Sequence, residues 1–230
     1  MTSEQGRLAP IGRRPGAHVL AFLLMLATGV MQLAGCSTAY YSIWEKLGYE
    51  KRDILVSRVK AARNDEDAAK QQFKTTLEKF QEVTHFNGGD LEAEYKKLNA
   101  EYERSVSRAD DVSSRIKSVE KVAGDLFDEW RKELGEYSDA RLRQESQQKL
   151  EATQARYQQM IGAMKRSEQK MQPVLARFKD QVLFLKHNLN AAAIASLQTT
   201  AAGIDTDVAQ LIKDMEASIA EADSFVGQLK

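Results

Sequence analysis

Few side chains in this 230-residue sequence are of the types that do chemistry, and their spacing limits what they can do. Cys36 is the sole cysteine, a nucleophile or acyl acceptor in principle. His18, His85 and His187 are the three histidines, but no HExxH or HxxxH spacing joins them. With no second cysteine, an intramolecular disulfide, a zinc knuckle and a CxxC redox pair are excluded. The histidines therefore read as helix-end or surface residues. Glu66 interrupts an otherwise apolar stripe. It is either an acid with a raised pKa or, on the better reading, a polar group that pairs across a bundle and sets helix register. Asp128, Glu129 and Glu133 surround Trp130, but Asp128 and Lys132 stand four apart, as on an ordinary solvated helix face. Met160, Met164 and Met171 share a stripe suited first to core packing, and second to an apolar ligand or soft metal. GxxxxGK[ST], GxGxxG and GxSxG are all absent, which argues against P-loop, dinucleotide and α/β-hydrolase chemistry. No catalytic residues, metal or cofactor are expected.

The surroundings of the cysteine are more specific. Residues 1–17 are polar and carry Arg7, Arg13 and Arg14; Val19 to Met31 is nearly all apolar; Leu33, Ala34 and Gly35 then lead directly into Cys36. A basic segment, a short apolar run and small residues before a cleavage point form a secretory signal. The apolar run falls short of the ~20 residues a membrane-spanning helix needs. Leu-Ala-Gly-Cys resembles the bacterial lipobox, in which the signal is cut before the cysteine, its thiol receives diacylglycerol and its new amine is usually acylated too. Two or more acyl chains anchor stably, at ~0.8 kcal/mol per buried CH₂. Ser37, rather than Asp, follows the cysteine, which by the same resemblance favours the outer membrane. The expected organisation is a signal peptide over 1–35, a lipidated tether over 36–42 and a helical domain over 43–230. Tyr40, Tyr41, Trp44 and Tyr49 cluster just after the anchor, either as interfacial aromatics or as a staple on the first helix.

Charge points the same way. The chain is 43% hydrophobic and 29% charged, with 33 basic and 33 acidic residues, so nothing in its bulk charge suggests nucleic-acid binding. Loss of 1–35 removes three arginines and one glutamate, which leaves 30 basic against 32 acidic residues. Charge at this density suits the outer faces of amphipathic helices.

The remaining sequence follows alternating steps of four and three. Leu55, Val59, Ala62, Glu66, Ala69, Phe73, Thr76, Phe80 and Val83 form the first stripe, seven of nine apolar. His85-Phe86-Asn87-Gly88-Gly89-Asp90 interrupts it with glycines able to take positive φ and with Asp90 as a helix cap. The second stripe is Leu91, Tyr95, Leu98, Tyr102, Ser105, Ala109, Val112, Ile116, Val119, Ala123, Leu126 and Trp130. Gly135 is expected at its C-terminal turn and Ser138 as the next N-cap. The third runs from Leu150 through Thr153, Tyr157, Met160, Met164, Ser167, Met171, Val174, Phe178, Val182 and Leu185 to Leu189. Pro173 within it predicts a kink or restart near Gln172. The fourth comprises Ile194, Leu197, Ala201, Ile204, Val208, Leu211, Met215, Ser218, Ala222, Phe225 and Leu229, with Asn188 and Asn190 as caps and Gly203 as a point of breakage. Helices of ~45 residues would span roughly 70 Å. The expected fold is all-α: an elongated antiparallel bundle or coiled coil of three to four long helices, without a β-sheet.

Five segments carry a further resemblance. They are Tyr41-Ser-Ile-Trp-Glu-Lys-Leu-Gly-Tyr-Glu-Lys-Arg-Asp-Ile-Leu-Val, Phe86-Asn-Gly-Gly-Asp-Leu, Leu126-Phe-Asp-Glu-Trp, Arg156-Tyr-Gln-Gln-Met and Asp180-Gln-Val-Leu-Phe-Leu-Lys-His-Asn-Leu-Asn-Ala. Together they resemble an uncharacterised proteobacterial lipoprotein family, Domain of Unknown Function twenty-nine fifty-nine. The resemblance covers essentially the whole chain after the signal. It implies a secreted helical protein and supplies no catalytic residues.

The functional expectation is a non-enzymatic lipoprotein on the periplasmic face of the outer membrane. It would serve as a helical scaffold or adaptor that binds a protein partner or itself through helix faces. A lipid or small-molecule binder using the bundle interior is the alternative. A coiled-coil protein akin to DNA-repair ATPases is a third reading, opposed by the missing P-loop, the neutral charge and the lipobox.

Overall fold

The computed structural model describes residues 51–229, within the compact unit Tyr49–Lys230. Four helices fill it: α1 Lys51–Thr84, α2 Leu91–Glu133, α3 Ala140–His187 and α4 Ala191–Leu229. No strand occurs among the described residues. The connections, 85–90, 134–139 and 188–190, are too short to cross the bundle, so each helix returns antiparallel beside its predecessor. Residues 1–50, including Leu33, Ala34, Gly35 and Cys36, lie outside the described residues.

The turns show why each helix stops where it does. Thr84 Oγ1 donates to the Gln81 carbonyl at 2.7 Å, and Gly88 and Gly89 follow with φ of 137° and 118°. L side chains rarely reach that region, so glycine lets the chain reverse there. Asp90 Oδ1 then accepts from Ala93 N at 3.0 Å, with Glu92 and Glu94 in the positive first turn of α2. The second turn has Gly135 just past the C-cap Leu134, as expected, and departs from expectation in the N-cap that follows. Gly135 is not among the positive-φ glycines, and Leu134 remains right-handed, so α2 ends by tightening: Gly135 N donates to Lys132 O at 3.0 Å. Asp139, not Ser138, caps α3, its Oδ1 accepting from Arg141 N at 2.8 Å and Leu142 N at 3.2 Å. A carboxylate serves both amides and the helix dipole, which a serine hydroxyl cannot match. At the last turn Asn188 Nδ2 donates to Phe184 O at 2.9 Å, and Asn190 Oδ1 accepts from Ala193 N at 3.0 Å.

Two expected interruptions are absent. α3 does not restart at Pro173: the proline is exposed, and so is Gln169, whose carbonyl loses its usual donor. α4 runs unbroken through Gly203, where a Cβ would approach Arg177 Nη1 to 3.2 Å. Glycine there lets Arg177 lie close over α4 and reach Asp207 at 2.8 Å.

The helices close into a ring in which α1 packs on α2 and α4, and α3 packs on α2 and α4. Residue pairs across each seam run in opposite directions along the two chains. Lys51–Glu129, Asp65–Arg115 and Thr76–Ser105 link α1 to α2; Arg63–Asp223, Glu66–Ser218 and Gln81–Asp205 link α1 to α4. Lys165–Glu120 and Trp130–Ser146 link α2 to α3, and Gln159–Glu221, Lys170–Asp214 and Arg177–Asp207 link α3 to α4.

The stripes lie inside this ring. All nine residues of the first are buried, as is the third from Tyr157 to Leu185, whereas Leu189 is exposed beyond the helix end. Phe80 and Phe178 meet edge-on at 6.2 Å across the α1–α3 diagonal, and Phe127, Tyr157 and Phe225 form a second aromatic group. Such buried rings contribute far more than rim ion pairs, which are worth ~0–1 kcal/mol each. Phe178 is fully buried, so Phe178→Ala should lower the unfolding free energy by about 3–5 kcal/mol in urea titrations. A loss below about 1 kcal/mol would contradict this account of the core.

Candidate functional site

A core built from four apolar stripes has little use for polar groups, so the places that contain them stand out. Glu66, Thr76, Ser105, Ser167 and Ser218 are all polar stripe positions with no more than 1% exposure. They fall into two groups with different chemistry.

The first group joins α1 to α2 and is saturated. Thr76 Oγ1 lies 2.8 Å from Ser105 Oγ, 3.0 Å from the Gln72 carbonyl and 3.1 Å from the Glu101 carbonyl. Gln72 Nε2 donates to Glu101 Oε2 at 2.8 Å, and Arg104 caps that carboxylate from the solvent side. The Arg104 hydrogen bond, helped by Gln72, holds the Glu101 carboxyl below its usual range. Every buried polar atom here has a partner, so the network specifies one pairing of α1 with α2 at little cost.

The second group joins α1, α3 and α4 and is not saturated. Ser218 Oγ donates to Glu66 Oε2 at 2.8 Å. Ser167 stands close enough to pull the proton affinity of the carboxyl down, but its geometry falls short of a hydrogen bond. Glu66 Oε1 and Ser167 Oγ are therefore each left without a partner. Burial dominates the balance and pushes Glu66 from 4.5 up to about 7; the two serines pull only partly against it. That rise corresponds to roughly 3 kcal/mol of extra cost for the carboxylate over what it has in water. An uncharged carboxyl can both donate and accept here, and it requires no cation.

The other chemistry-bearing residues lie elsewhere. His85 Nδ1 is 2.8 Å from the Gln81 carbonyl at the exposed end of α1, and His187 is exposed in the last turn of α3. Among the described residues no three His, Cys, Asp or Glu side chains converge as metal ligands. Asp128 pairs with Arg131, and Glu129 with Lys51 at 2.5 Å, so two of the acids around Trp130 are taken up by neighbouring cations. Trp130 itself donates to Ser146 Oγ at 2.8 Å. Met160, Met164 and Met171 are at most 1% exposed and fill the core. No helix among the described residues is long and apolar enough to cross a membrane.

Glu66 stands out in sequence because a charge breaks its stripe. Ser167 and Ser218 do not stand out in the same way, since serine is an unremarkable filler of a heptad position. Only the antiparallel register brings them level with Glu66, 101 and 152 positions away in the chain.

The saturated network gives a clean measurement. Thr76→Val and Ser105→Ala should each destabilise the bundle, and a double-mutant cycle should return a coupling of ~1 kcal/mol between them. Simple additivity would show that the 2.8 Å contact contributes nothing to pairing.

The architecture can be set beside known proteins. No curated protein and no solved structure matches the chain. The model of a family described as "Protein of unknown function (DUF2959)" matches residues 40–229, which takes in all four helices and both buried polar groups. With the match spanning most of the sequence, the chain belongs to the DUF2959 family.

Proposed function

We propose that this protein is a lipid-anchored helical adaptor of the bacterial cell envelope, held by acyl chains on Cys36 at the periplasmic face of the outer membrane. The anchoring half of the reading rests on sequence: basic segment, apolar run, Leu33-Ala34-Gly35 and then the sole cysteine. The adaptor half rests on one surface observation. Leu183, Phe184 and Leu189 are 44%, 41% and 41% exposed around the α3–α4 turn. The stretch that follows, Ala191 to Ile204, contains no charged residue, and its outer positions are mostly Ala, Ser and Thr. Small uncharged residues allow close approach of another backbone, and the exposed leucines and phenylalanine offer apolar area. The other helices cover their outer faces with charge. A partner helix or a second copy of the chain would bury this corner, while the tether fixes where the contact occurs. The activity is non-enzymatic: binding, with no group transfer.

Two measurements check the halves separately. Metabolic labelling with a fatty-acid analogue should mark the wild-type chain and leave Cys36→Ala unmarked and released from membranes; label in both, or in neither, refutes the anchor. Crosslinking in cells should give a discrete complex that Phe184→Lys with Leu183→Lys abolishes, with the melting temperature moved by no more than a few degrees. These side chains lie on the surface, so their loss costs the fold little. An unchanged complex refutes the proposed contact face.

A further inference from the structure

Glu66 is the only buried acid among the described residues, and it sits where an ionised carboxyl is poorly served. A buried carboxylate normally needs a cation or two to three hydrogen-bond donors. Glu66 has one donor, Ser218 at 2.8 Å, and its Oε1 has none. Charged groups occur at this level on every helix, and several are tied to one another at the surface. On α1, Arg63 pairs with Asp223 of α4 at 3.2 Å, Asp65 with Arg115 of α2 at 2.6 Å and Asp67 with Lys70 at 2.9 Å. Lys70 also lies 4.0 Å from Glu216 of α4, and Lys170 of α3 pairs with Asp214 of α4. None of these charges acts on Glu66, whose proton affinity is set by burial and by the two serines alone.

We propose that Glu66 is a proton-operated catch: with its proton it lets α1 close against α3 and α4, and loss of the proton loosens that layer of the bundle. The same residue in an unfolded chain holds its proton only below the usual glutamate range, near 4.5, whereas burial in the bundle moves this to about 7. The favourable contribution of the neutral form is complete below the lower value. It shrinks as pH rises between the two, and it is gone above the upper one. Carboxyls with lowered pKa, such as Asp67, Glu94 and Glu101, work in the opposite direction and in more acidic solution. Among the carboxyls whose proton affinity the fold shifts, Glu66 is the one moved toward neutrality. The local opening equilibrium should rise by roughly a hundredfold between its two values. Opening would first free the Ser218 and Ser167 segments, because these are the groups that face the carboxyl.

The test uses the purified full chain and its Glu66→Gln variant, which keeps the size and the Ser218 partner but cannot ionise. Thermal unfolding between about pH 5 and about pH 8.5 should show a wild-type melting temperature that falls as pH rises, and a flat profile for the variant. The exposed histidines are common to both chains and cancel in the comparison. Hydrogen exchange, corrected for intrinsic rate, should accelerate above neutrality around Ser167 and Ser218 in wild type only. A flat or rising wild-type profile overturns the proposal, as does a parallel fall in Glu66→Gln. Uniform acceleration along all four helices overturns its local character. If Glu66→Gln does not fold, infrared spectroscopy of the wild type decides: a protonated carboxyl band present at about pH 6 and lost above about pH 8 is required, and its absence at the lower pH refutes the catch.

Discussion

Four amphipathic helices must hide their apolar stripes on one another, because none can hide its stripe alone. Isolated helices are marginal in water; tertiary burial of one face supplies most of their stability. Here the requirement is met by a closed ring in which every helix has two neighbours. The caps, the Gly88-Gly89 reversal and the short second and third turns serve that closure by fixing the direction of each return. Charge is then confined to the outside, where it lines the seams as pairs such as Arg63–Asp223 and Arg177–Asp207.

Closure alone does not settle register, since apolar stripes can slide by a heptad with little change in burial. The buried polar groups remove that freedom. Sliding α4 by seven residues would set Leu211 or Phe225 opposite Glu66 in place of Ser218, leaving the carboxyl with no donor at all. Sliding α2 would break Thr76 from Ser105 and leave two buried hydroxyls to find new partners. The α1–α2 seam achieves this with a satisfied network, while the α1–α4 seam uses one that remains strained for hydrogen bonds. α1 takes part in both, so it acts as the reference against which two neighbours are aligned.

The periodic part of the fold was legible because burial imposes it residue by residue. Each polar interruption of the first stripe, Glu66 and Thr76, turned out to be buried along with the apolar positions around it. Helix ends were harder. Ser138 and Asp139 are both good caps by type, and only the path of the chain decides which side chain reaches Arg141 N and Leu142 N. Gly135 and Gly203 look alike in sequence, yet one lies in a tightened helix end and the other under Arg177. Pro173 suggests a kink or restart from its missing donor alone, yet it and Gln169, which carries the orphaned carbonyl, are both exposed and the helix does not restart. The cluster at Glu66 was half legible: the acid betrays itself, but its serine partners depend on register between helices far apart in sequence.

Salt and protons act on different parts of this bundle. The seam pairs lie at the surface, so mobile ions screen them over a Debye length of about 8 Å at physiological ionic strength. Glu66 is not reached in the same way. At 1% exposure it lies beyond effective screening, and because no neighbouring charge bears on it, adding salt removes nothing it depends on. A proton alters it fully. The outer faces therefore set how tightly the helices associate in a given ionic medium, and the core acid sets whether one layer of that association is complete. Separating the two requires that the buried carboxyl have no cationic partner. A buried arginine opposite Glu66 would have tied both responses to the same pair and made the core insensitive to pH near neutrality.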